Sequence, residues 1–224
     1  MVSAIVLAGG RGKRMGSVQS KQYIDLNGKP ILYYTLNRFI NNKNIDKVIL
    51  VIPEDELEFC QKEVLDKYNL KVDSIALGGK ERQDSVYNGL KKAIGSDIVL
   101  IHDGARPFVS EKIIDDGIGF AKLHGAAAPG VMPKDTIKVK NNDGFSVETP
   151  DRSNLVAVQT PQIFDYKMIC ECHVKVKENK LEVTDDTMVV ELFGNDVYLY
   201  DGEYTNIKIT TPEDLILGQY LVQS

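Results

Sequence analysis

The sequence has few cysteines, no long apolar run and no excess of positive charge. Its three cysteines are an odd number and offer no disulfide framework, which favours a reducing, cytoplasmic location. No stretch approaches the roughly 20 apolar residues that are needed to cross a bilayer. The first residues also lack a charged leader followed by a long apolar segment, so we expect no export and no membrane association.

The overall charge argues against a protein that binds nucleic acid non-specifically. A formal net charge of −5 and a pI of about 5.3 do not favour non-specific binding of nucleic acid, for which a basic domain is typical. Positive side chains are nevertheless concentrated in one early segment, at Arg11, Lys13, Arg14 and Lys21. A local basic site in an acidic protein suits a small anion better than a polymer.

Short apolar runs alternate with helical patterns through the first half of the chain. Uninterrupted Val, Ile and Leu content predicts strands covered on both faces at residues 4–7, 47–52 and 97–101. Helices are predicted at residues 30–40, 54–68 and 83–94, the last closed by Gly95. This order predicts an α/β fold with a Rossmann-like, doubly wound, mostly parallel sheet, in one domain over residues 1–224.

The second half adds an arm to this pattern. Residues 126–131 form a small-residue strand, and residues 136–140 alternate like a strand that faces solvent. A tight turn at residues 141–144 and a returning strand at 145–148 complete an inserted β-hairpin, at about residues 134–155. An arm with alternating faces needs something to pack on, and a partner subunit is one candidate.

Two further helices are indicated by their capping residues. Thr184 is the expected N-cap of a helix at residues 185–193 that ends at Gly194. Thr211 is the expected N-cap of the final helix, which has a proline and two acidic residues in its first turn.

The segment LAGGRGKRMG at residues 7–16 follows the first strand directly. Glycines let a backbone approach a ligand closely, and their N–H groups can hold phosphate oxygens. A plain glycine turn is the alternative. The segment lacks the hydroxyl residue that ends a Walker loop, and it lacks the third glycine of a dinucleotide-binding loop at the required place.

The pattern that does match is this loop followed by SKQY at residues 20–23. It resembles the signature loop of nucleotidyltransferases that make nucleoside-diphosphate sugars and alditols. Further motifs then occur in order, at residues 78–86, 102–107, 134–138, 159–162 and 206–210. Together they resemble the 2-C-methyl-D-erythritol 4-phosphate cytidylyltransferase family, over Ala4 to Leu215. Gly104 and Val156 depart from the family pattern, which usually has alanine and tryptophan there.

The resemblance implies a set of roles at the phosphates and the base. Arg14, Lys21 and Lys208 would be catalytic, because charge that builds on a phosphorus centre is stabilised by nearby cations. CTP would be bound by Leu7, Ala8, Gly9, Gly10, Gly12, Gly79, Ser85 and Asp103. For Ser85 the alternative is a helix N-terminus with Glu81 and Asp84 near the dipole, and for Lys208 it is a solvated lysine at the end of a late strand.

The acceptor site implied by the resemblance is shared between subunits. Its residues would be Asp103, Arg106, Asp135, Thr136, Arg152 and Thr160. The hairpin arm would cross to a second copy, so a homodimer with composite sites is expected. Arg106 is equally well interpreted as a structural ion-pair residue. His102 is expected to be structural, because an ionised phosphate needs no general base.

A divalent cation, Mg²⁺ in particular, is expected as a cofactor that the triphosphate itself holds. No protein metal site is expected, since the spacing of Cys170, Cys172 and His173 is not a usual zinc pattern. The implied reaction transfers CMP from CTP to 2-C-methyl-D-erythritol 4-phosphate. Two alternatives stay open: the same transfer to ribitol 5-phosphate, and a nucleotide-binding regulator without catalysis.

Overall fold

A computed structural model describes residues 1–9 and 20–223, and an eight-stranded sheet lies at the centre of this part of the chain. Two small two-stranded sheets accompany it. In chain order the strands are β1 (Val2–Leu7), β2 (Asp25–Leu26), β3 (Lys29–Pro30), β4 (Lys47–Ile52), β5 (Ser74–Leu77), β6 (Ile98–Asp103), β7 (Ala126–Val131), β8 (Val139–Lys140), β9 (Ser146–Glu148), β10 (Ala157–Val158), β11 (Gln162–Asp165) and β12 (Tyr198–Asp201).

Helices cover the sheet on both faces. They are α1 (Ile31–Ile40), α2 (Leu57–Cys60), α3 (Arg82–Leu90), α4 (Glu111–His124), α5 (Tyr166–Glu178), α6 (Asp186–Glu191) and α7 (Pro212–Gln223). A 3₁₀ turn at Glu54–Glu56 precedes α2 and a π-helical segment at Gln61–Asp66 follows it. The helix predicted at residues 54–68 is therefore one helical stretch of three hydrogen-bonding types.

The strand order confirms the predicted mostly parallel α/β sheet. It runs β10-β7-β11-β6-β1-β4-β5, and β12 pairs with β7 in parallel. The first strand is parallel to both of its neighbours, β4 and β6. The chain therefore winds away from β1 in two directions, and β1 and β6 form the switch point of the sheet. The strand β11 is antiparallel to β6 and β7 and was not predicted.

Alternation along the strands builds a core on each face of the sheet. In β1, Ala4 and Val6 pack with α1, α2 and α4, whereas Ile5 packs with α3, α5 and α6. These three side chains are fully buried. A strand covered on both faces is the reason for the uninterrupted apolar run in the sequence.

One glycine lets α3 lie close against the sheet. A Cβ at Gly89 would come within 2.6 Å of Ile5 Cγ2, so a larger residue would push the helix away. The N-terminus of α3 lies at the carboxyl edge of β1, and its residues line the cleft described below.

Two predicted boundaries need correction. The helix predicted at residues 83–94 ends at Leu90, and Gly95, with a φ of +89°, lies in the turn that follows. The N-cap of α6 is Asp185 and not Thr184, because the Asp185 carboxylate accepts a hydrogen bond from the backbone N of Met188. A carboxylate is as good a cap as a hydroxyl, so the sequence did not distinguish the two. The final helix begins at Pro212, as predicted.

The hairpin is present as β8 and β9, joined by a turn in which Gly144 has a φ of +89°. Its strands are two and three residues long, shorter than predicted, and all of their residues are exposed. Its role as a dimerisation arm stays a prediction. Within the described residues, no helix has the length and apolar character to span a bilayer.

Candidate active site

A cleft opens at the carboxyl edge of the sheet, at the switch point between β1 and β6. Open α/β sheets bind their ligands at this place. The cleft encloses about 740 Å³, part of it open to solvent. Its described lining residues are Leu7, Ala8, Gly9, Lys21, Gln22, Gly79, Lys80, Glu81, Arg82, Ser85, Asp103, Ala105 and Lys208.

The predicted catalytic lysines of the two chain ends both line this one cleft. Lys21 opens a short 3₁₀ turn, Lys21–Tyr23, and both chain neighbours of Lys21 form side-chain hydrogen bonds. The buried Gln22 amide donates to the Ala8 carbonyl and, at 2.8 Å, to a carboxylate oxygen of Glu56. Glu56 also accepts a hydrogen bond from Ser20. These contacts fix the backbone from which Lys21 projects.

Residues 10–16 of the predicted phosphate loop, which include the predicted site residues Gly10, Gly12 and Arg14, lie outside the described residues. The described part of the loop is consistent with close approach of a ligand. In the described part of the chain, beyond the residues next to Gly9, no atom lies within 4 Å of the position that a Cβ would take on Gly9, and Leu7, Ala8 and Gly9 all line the cleft.

Lys208 reaches the cleft from a segment without regular structure, so the predicted strand end was wrong. Hydrogen bonds hold this segment against the loop after β6. The guanidinium of Arg106 donates to the Asn206 carbonyl at 2.7 Å, and the Ile209 backbone N donates to the Ala105 carbonyl at 2.9 Å. This supports the structural interpretation of Arg106, which is not among the described residues that line the cleft.

Asp103 ends β6 and is the centre of an ion-pair cluster. Its Oδ2 atom lies 2.7 Å from Lys208 Nζ and 3.9 Å from Arg106 Nε, and its Oδ1 atom lies 4.0 Å from Arg82 Nε. Burial alone would raise the pKa of the Asp103 carboxyl, but these three cations outweigh it and hold the pKa well below its usual range. Asp103 is therefore a carboxylate at neutral pH, and it orients Lys208.

His102 lies behind Asp103 and is fully buried. Its Nε2 atom is 3.0 Å from the Arg106 carbonyl oxygen, which can only accept, so Nε2 carries the proton. Its Nδ1 atom then accepts from the Thr160 hydroxyl at 3.1 Å, and that hydroxyl accepts from the Asp103 backbone N. Thr160 thus supports the end of β6 from behind, a placement that does not favour the direct substrate contact predicted for it. The burial of His102 and these hydrogen bonds support its structural interpretation.

The burial of His102 predicts a pH-dependent stability. Desolvation lowers the pKa of His102 to about 4. Above pH 6.5 the group is neutral in both states, and between pH 6.5 and 4 the unfolded chain binds the proton first, so stability falls with falling pH. Between pH 7 and pH 5 we expect His102 to remove about 2 kcal/mol of unfolding free energy.

Urea unfolding at these two pH values checks this expectation. The variant His102→Gln should lose about 2 kcal/mol less than the wild type on acidification. The control His124→Gln, at an exposed position, keeps His102 and should follow the wild type. Equal losses in the wild type and His102→Gln would contradict the assignment of a neutral, buried imidazole.

The loop between β5 and α3 forms the opposite wall. A Cβ at Gly79 would lie 2.2 Å from Asp84 Cβ, so this position requires glycine. The Ser85 hydroxyl accepts from the Gly79 backbone N at 3.0 Å and donates to the Glu81 carbonyl at 3.2 Å. The alternative interpretation of Ser85, as part of a helix N-terminus, is therefore also supported: the Asp84 carboxylate accepts a hydrogen bond from the Glu81 backbone N. Ser85 nevertheless lines the cleft as well.

The predicted arm residues lie apart from this cleft within one chain. Asp135, Thr136 and Arg152 are exposed, and none of them is among the described lining residues. The Arg152 guanidinium donates to the Lys134 carbonyl at 2.7 Å, across the base of the hairpin.

Several lining residues were not predicted. Arg82 and Lys80 lie within the motif at residues 78–86, and their position directly after the end of β5 was the available signal. Gln22 could not be found from its residue type, because its contribution is to fix the backbone beside Lys21. The glycine at position 104 lies close against the end of the first strand, because a Cβ there would be 2.9 Å from the Leu7 carbonyl oxygen.

The protein has a doubly wound sheet, a cleft at the switch point of that sheet, and lysines from both ends of the chain that line the cleft. Together these features define the nucleotidyltransferase class. Comparison with known proteins specifies the family. The sequence model of 2-C-methyl-D-erythritol 4-phosphate cytidylyltransferase matches residues 2–224. The chain therefore belongs to the 2-C-methyl-D-erythritol 4-phosphate cytidylyltransferase family.

Individual relatives agree with this family. The 2-C-methyl-D-erythritol 4-phosphate cytidylyltransferase of Clostridium beijerinckii is 66% identical over 224 residues, which cover 100% of this chain and 99% of that protein. The crystal structure of 4-diphosphocytidyl-2C-methyl-D-erythritol synthase from Anaerococcus prevotii matches with a TM-score of 0.87 and 36% identity, over 100% of this chain and 96% of that one. The cytidylyltransferase structure from Thermus thermophilus matches with a TM-score of 0.81 and 28% identity, over the full length of both chains.

Proposed function

We propose that the cleft between β1 and β6 is where this cytidylyltransferase joins CTP to 2-C-methyl-D-erythritol 4-phosphate. A phosphate oxygen of the acceptor attacks the α-phosphorus of CTP, the bond from that phosphorus to the bridging oxygen breaks, and pyrophosphate leaves. The observation that carries the proposal is the presence of Lys21 and Lys208, from opposite ends of the chain, in one cleft.

Electrostatics accounts for the choice of residues. The attack brings two anions together and builds negative charge around the phosphorus, so fixed cations lower the barrier more than a base could. We assign Lys21 and Arg14 to the triphosphate, and Lys208 to the α-phosphate and the incoming phosphate. Asp103 holds Lys208 in place through the 2.7 Å ion pair. Buried His102 is not needed as a base, because the attacking phosphate is already ionised.

The wall formed by Gly79 and Ser85 is assigned to the cytosine base. Backbone groups of this loop can hydrogen-bond to a base edge, and glycine at position 79 leaves the backbone uncovered. The backbone of Leu7, Ala8 and Gly9, with Gly10 and Gly12 beyond them, is assigned to the nucleotide along the end of β1.

The acceptor requires a second copy of the chain in this proposal. Asp135, Thr136 and Arg152 lie apart from the cleft of their own subunit, and the hairpin exposes the apolar side chains of Phe145 and Val147. An exposed apolar arm gains stability by packing on another subunit. We assign the arm to a homodimer in which these polar residues reach the partner's acceptor site.

A divalent cation fits this site as a companion of the triphosphate. Among the described residues no group of three or more His, Cys, Asp or Glu side chains is placed to hold a metal ion. Asp103 is already paired with cations, so triphosphate oxygens would supply most ligands to Mg²⁺. When bound, the ion would neutralise part of the triphosphate charge. The cytoplasmic location stays a prediction based on the cysteine count.

A substrate panel tests the proposed function. Pyrophosphate release is measured with CTP and with UTP, each in the presence of 2-C-methyl-D-erythritol 4-phosphate or ribitol 5-phosphate. We expect rapid release only with CTP and the erythritol phosphate. Faster release with ribitol 5-phosphate would favour the first alternative. CTP binding without release from any pair would contradict catalysis and favour a regulator.

The composite site makes a separate prediction about heterodimers. In the proposed dimer each active site takes Lys208 from one subunit and Arg152 from the other. Lys208→Met and Arg152→Ala each remove one of these residues from both sites of a homodimer, so each homodimer should lose most of its activity. A heterodimer isolated through two different tags has one site with both changes and one with neither. It should therefore recover about half of the wild-type activity, measured at low acceptor concentration.

The two homodimers serve as controls in the same assay. Activity of the heterodimer no higher than the mean of the two homodimers would contradict a site shared between subunits.

A further inference from the structure

A nearly fully buried carboxylate lies beneath the cleft and has no part in the chemistry assigned above. Asp186 begins α6 and its side chain is only 1% exposed. An ionised carboxylate at such a depth destabilises a protein unless cations or donors compensate it. The buried Asp186 carboxylate therefore requires a partner beside it, a cation or hydrogen-bond donors.

That partner is Arg82, which lines the cleft. Its Nη2 atom lies 2.7 Å from Asp186 Oδ2. On its other side Asp186 Oδ1 lies 3.3 Å from Nε2 of buried His173. Burial alone would raise the pKa of the Asp186 carboxyl, but Arg82 and His173 outweigh it and lower the pKa below its usual range. Asp186 is thus an anion beneath the cleft wall.

The backbone that carries Asp186 is tied to the sheet. The side-chain oxygen of Gln162, in β11, accepts from the backbone N of Asp186 at 2.9 Å and of Thr187 at 3.2 Å. The Gln162 amide N donates to the Asp185 carboxylate at 2.7 Å. Because β11 pairs directly with β6, the carboxylate has a fixed position relative to Asp103 at the end of β6.

Arg82 connects the two carboxylates. Its Nε atom lies 4.0 Å from Asp103 Oδ1, whereas Lys208 Nζ lies 2.7 Å from Asp103 Oδ2. Arg82 is therefore the cation on the Oδ1 side of Asp103, whereas Lys208 and, at 3.9 Å, Arg106 lie on the Oδ2 side. The Arg82 side chain is 34% exposed, so without an anchor it could turn into the cleft and pair with bound phosphates or more closely with Asp103. Either movement would shift Lys208.

We propose that Asp186 is a positioning residue that acts through Arg82. It holds the guanidinium beside Asp103, and Asp103 in turn holds Lys208 at the phosphorus. This inference rests on the proposed function of the cleft, in which Lys208 is catalytic. Asp186 itself contacts no substrate.

The test is a double-mutant comparison in the pyrophosphate-release assay with CTP and 2-C-methyl-D-erythritol 4-phosphate. Asp186→Asn keeps the shape of the side chain and removes its charge. We expect a decrease in kcat of about fivefold, with the KM for CTP changed less than about twofold, because positioning affects the transition state more than binding. Asp186→Glu, which keeps the carboxylate, should recover part of the loss.

In an Arg82→Ala background, Asp186→Asn should change kcat by less than about twofold, because the residue it acts through is absent. The matched control is Asp165→Asn, which removes the negative charge at the N-cap of α5 but keeps an oxygen that accepts from the Met168 backbone N. This control should leave kcat unchanged, with at most a small decrease in Tm. An Asp186→Asn variant with a lower Tm and a wild-type kcat, or with the same loss in both backgrounds, would overturn the proposal. Absence of turnover in the wild type would instead overturn the proposed function.

Discussion

Replacement of Lys208 by methionine is expected to lower kcat/KM for pyrophosphate release about 100-fold or more, a loss of about 2.7 kcal/mol of transition-state stabilisation. Methionine keeps the length of the side chain and removes the charge. The variant loses the cation assigned to the reacting phosphates and separates Asp103 from its nearest partner, at 2.7 Å. The Asp103 carboxylate, left with only Arg106 at 3.9 Å and Arg82 at 4.0 Å, would then repel the substrates, which are anions.

The matched control for this variant is Lys112→Met. Lys112 pairs with Asp116 on the exposed surface of α4, away from the cleft. An exposed ion pair of this kind contributes little, so kcat/KM should stay within about twofold of the wild type. A Lys208→Met variant with activity similar to Lys112→Met would remove Lys208 from the mechanism.

Replacement of Lys21 by alanine is expected to lower kcat/KM at least about tenfold, or about 1.4 kcal/mol. Most of the loss should fall on kcat, because charge on the phosphorus centre develops after CTP is bound. The same loss is predicted for Arg14→Ala. Steady-state kinetics over a range of CTP concentrations separates the two constants.

Lys67→Ala provides the comparison for Lys21, since Lys67 forms an exposed ion pair with Glu63 outside the cleft. It should behave as the wild type. Full activity of Lys21→Ala would defeat the role assigned to the turn after the phosphate loop. A loss confined to the KM for CTP would show that Lys21 binds the ground state and transition state equally.

The parts of the fold that follow from local periodicity could be predicted from the sequence. Strands β1, β4 and β6 contain continuous apolar runs because helices cover both of their faces, and β7 was predicted as a strand of small residues. The strands missed, such as β11 and β12, are short, and their place is decided by pairing with distant segments. The residues of β12 are mostly exposed, so no buried run marks it.

The candidate site could be predicted where its residues follow directly from a strand end or a glycine loop. Asp103 is of this kind, whereas the turn at Gly79 was predicted through the family resemblance. Lys208 was predicted on a wrong element, because its segment is held at the cleft by hydrogen bonds to a loop about 100 residues earlier. One is donated by the Arg106 side chain to the Asn206 carbonyl, and one by the Ile209 backbone N to the Ala105 carbonyl. The sequence alone does not distinguish Arg82 from an arginine on the protein surface. Only its distances to Asp103 and Asp186 distinguish it.

In the proposed mechanism, lysines from the two ends of the chain act on one phosphorus atom. Their positions can be measured in a crystal structure with 2-C-methyl-D-erythritol 4-phosphate and a CTP analogue that has a methylene group between the α- and β-phosphorus atoms. We expect the Nζ atoms of Lys21 and Lys208 both to lie about 3 Å from phosphate oxygens on or beside the α-phosphorus. A nucleotide bound with either ammonium group turned into solvent would contradict this mechanism.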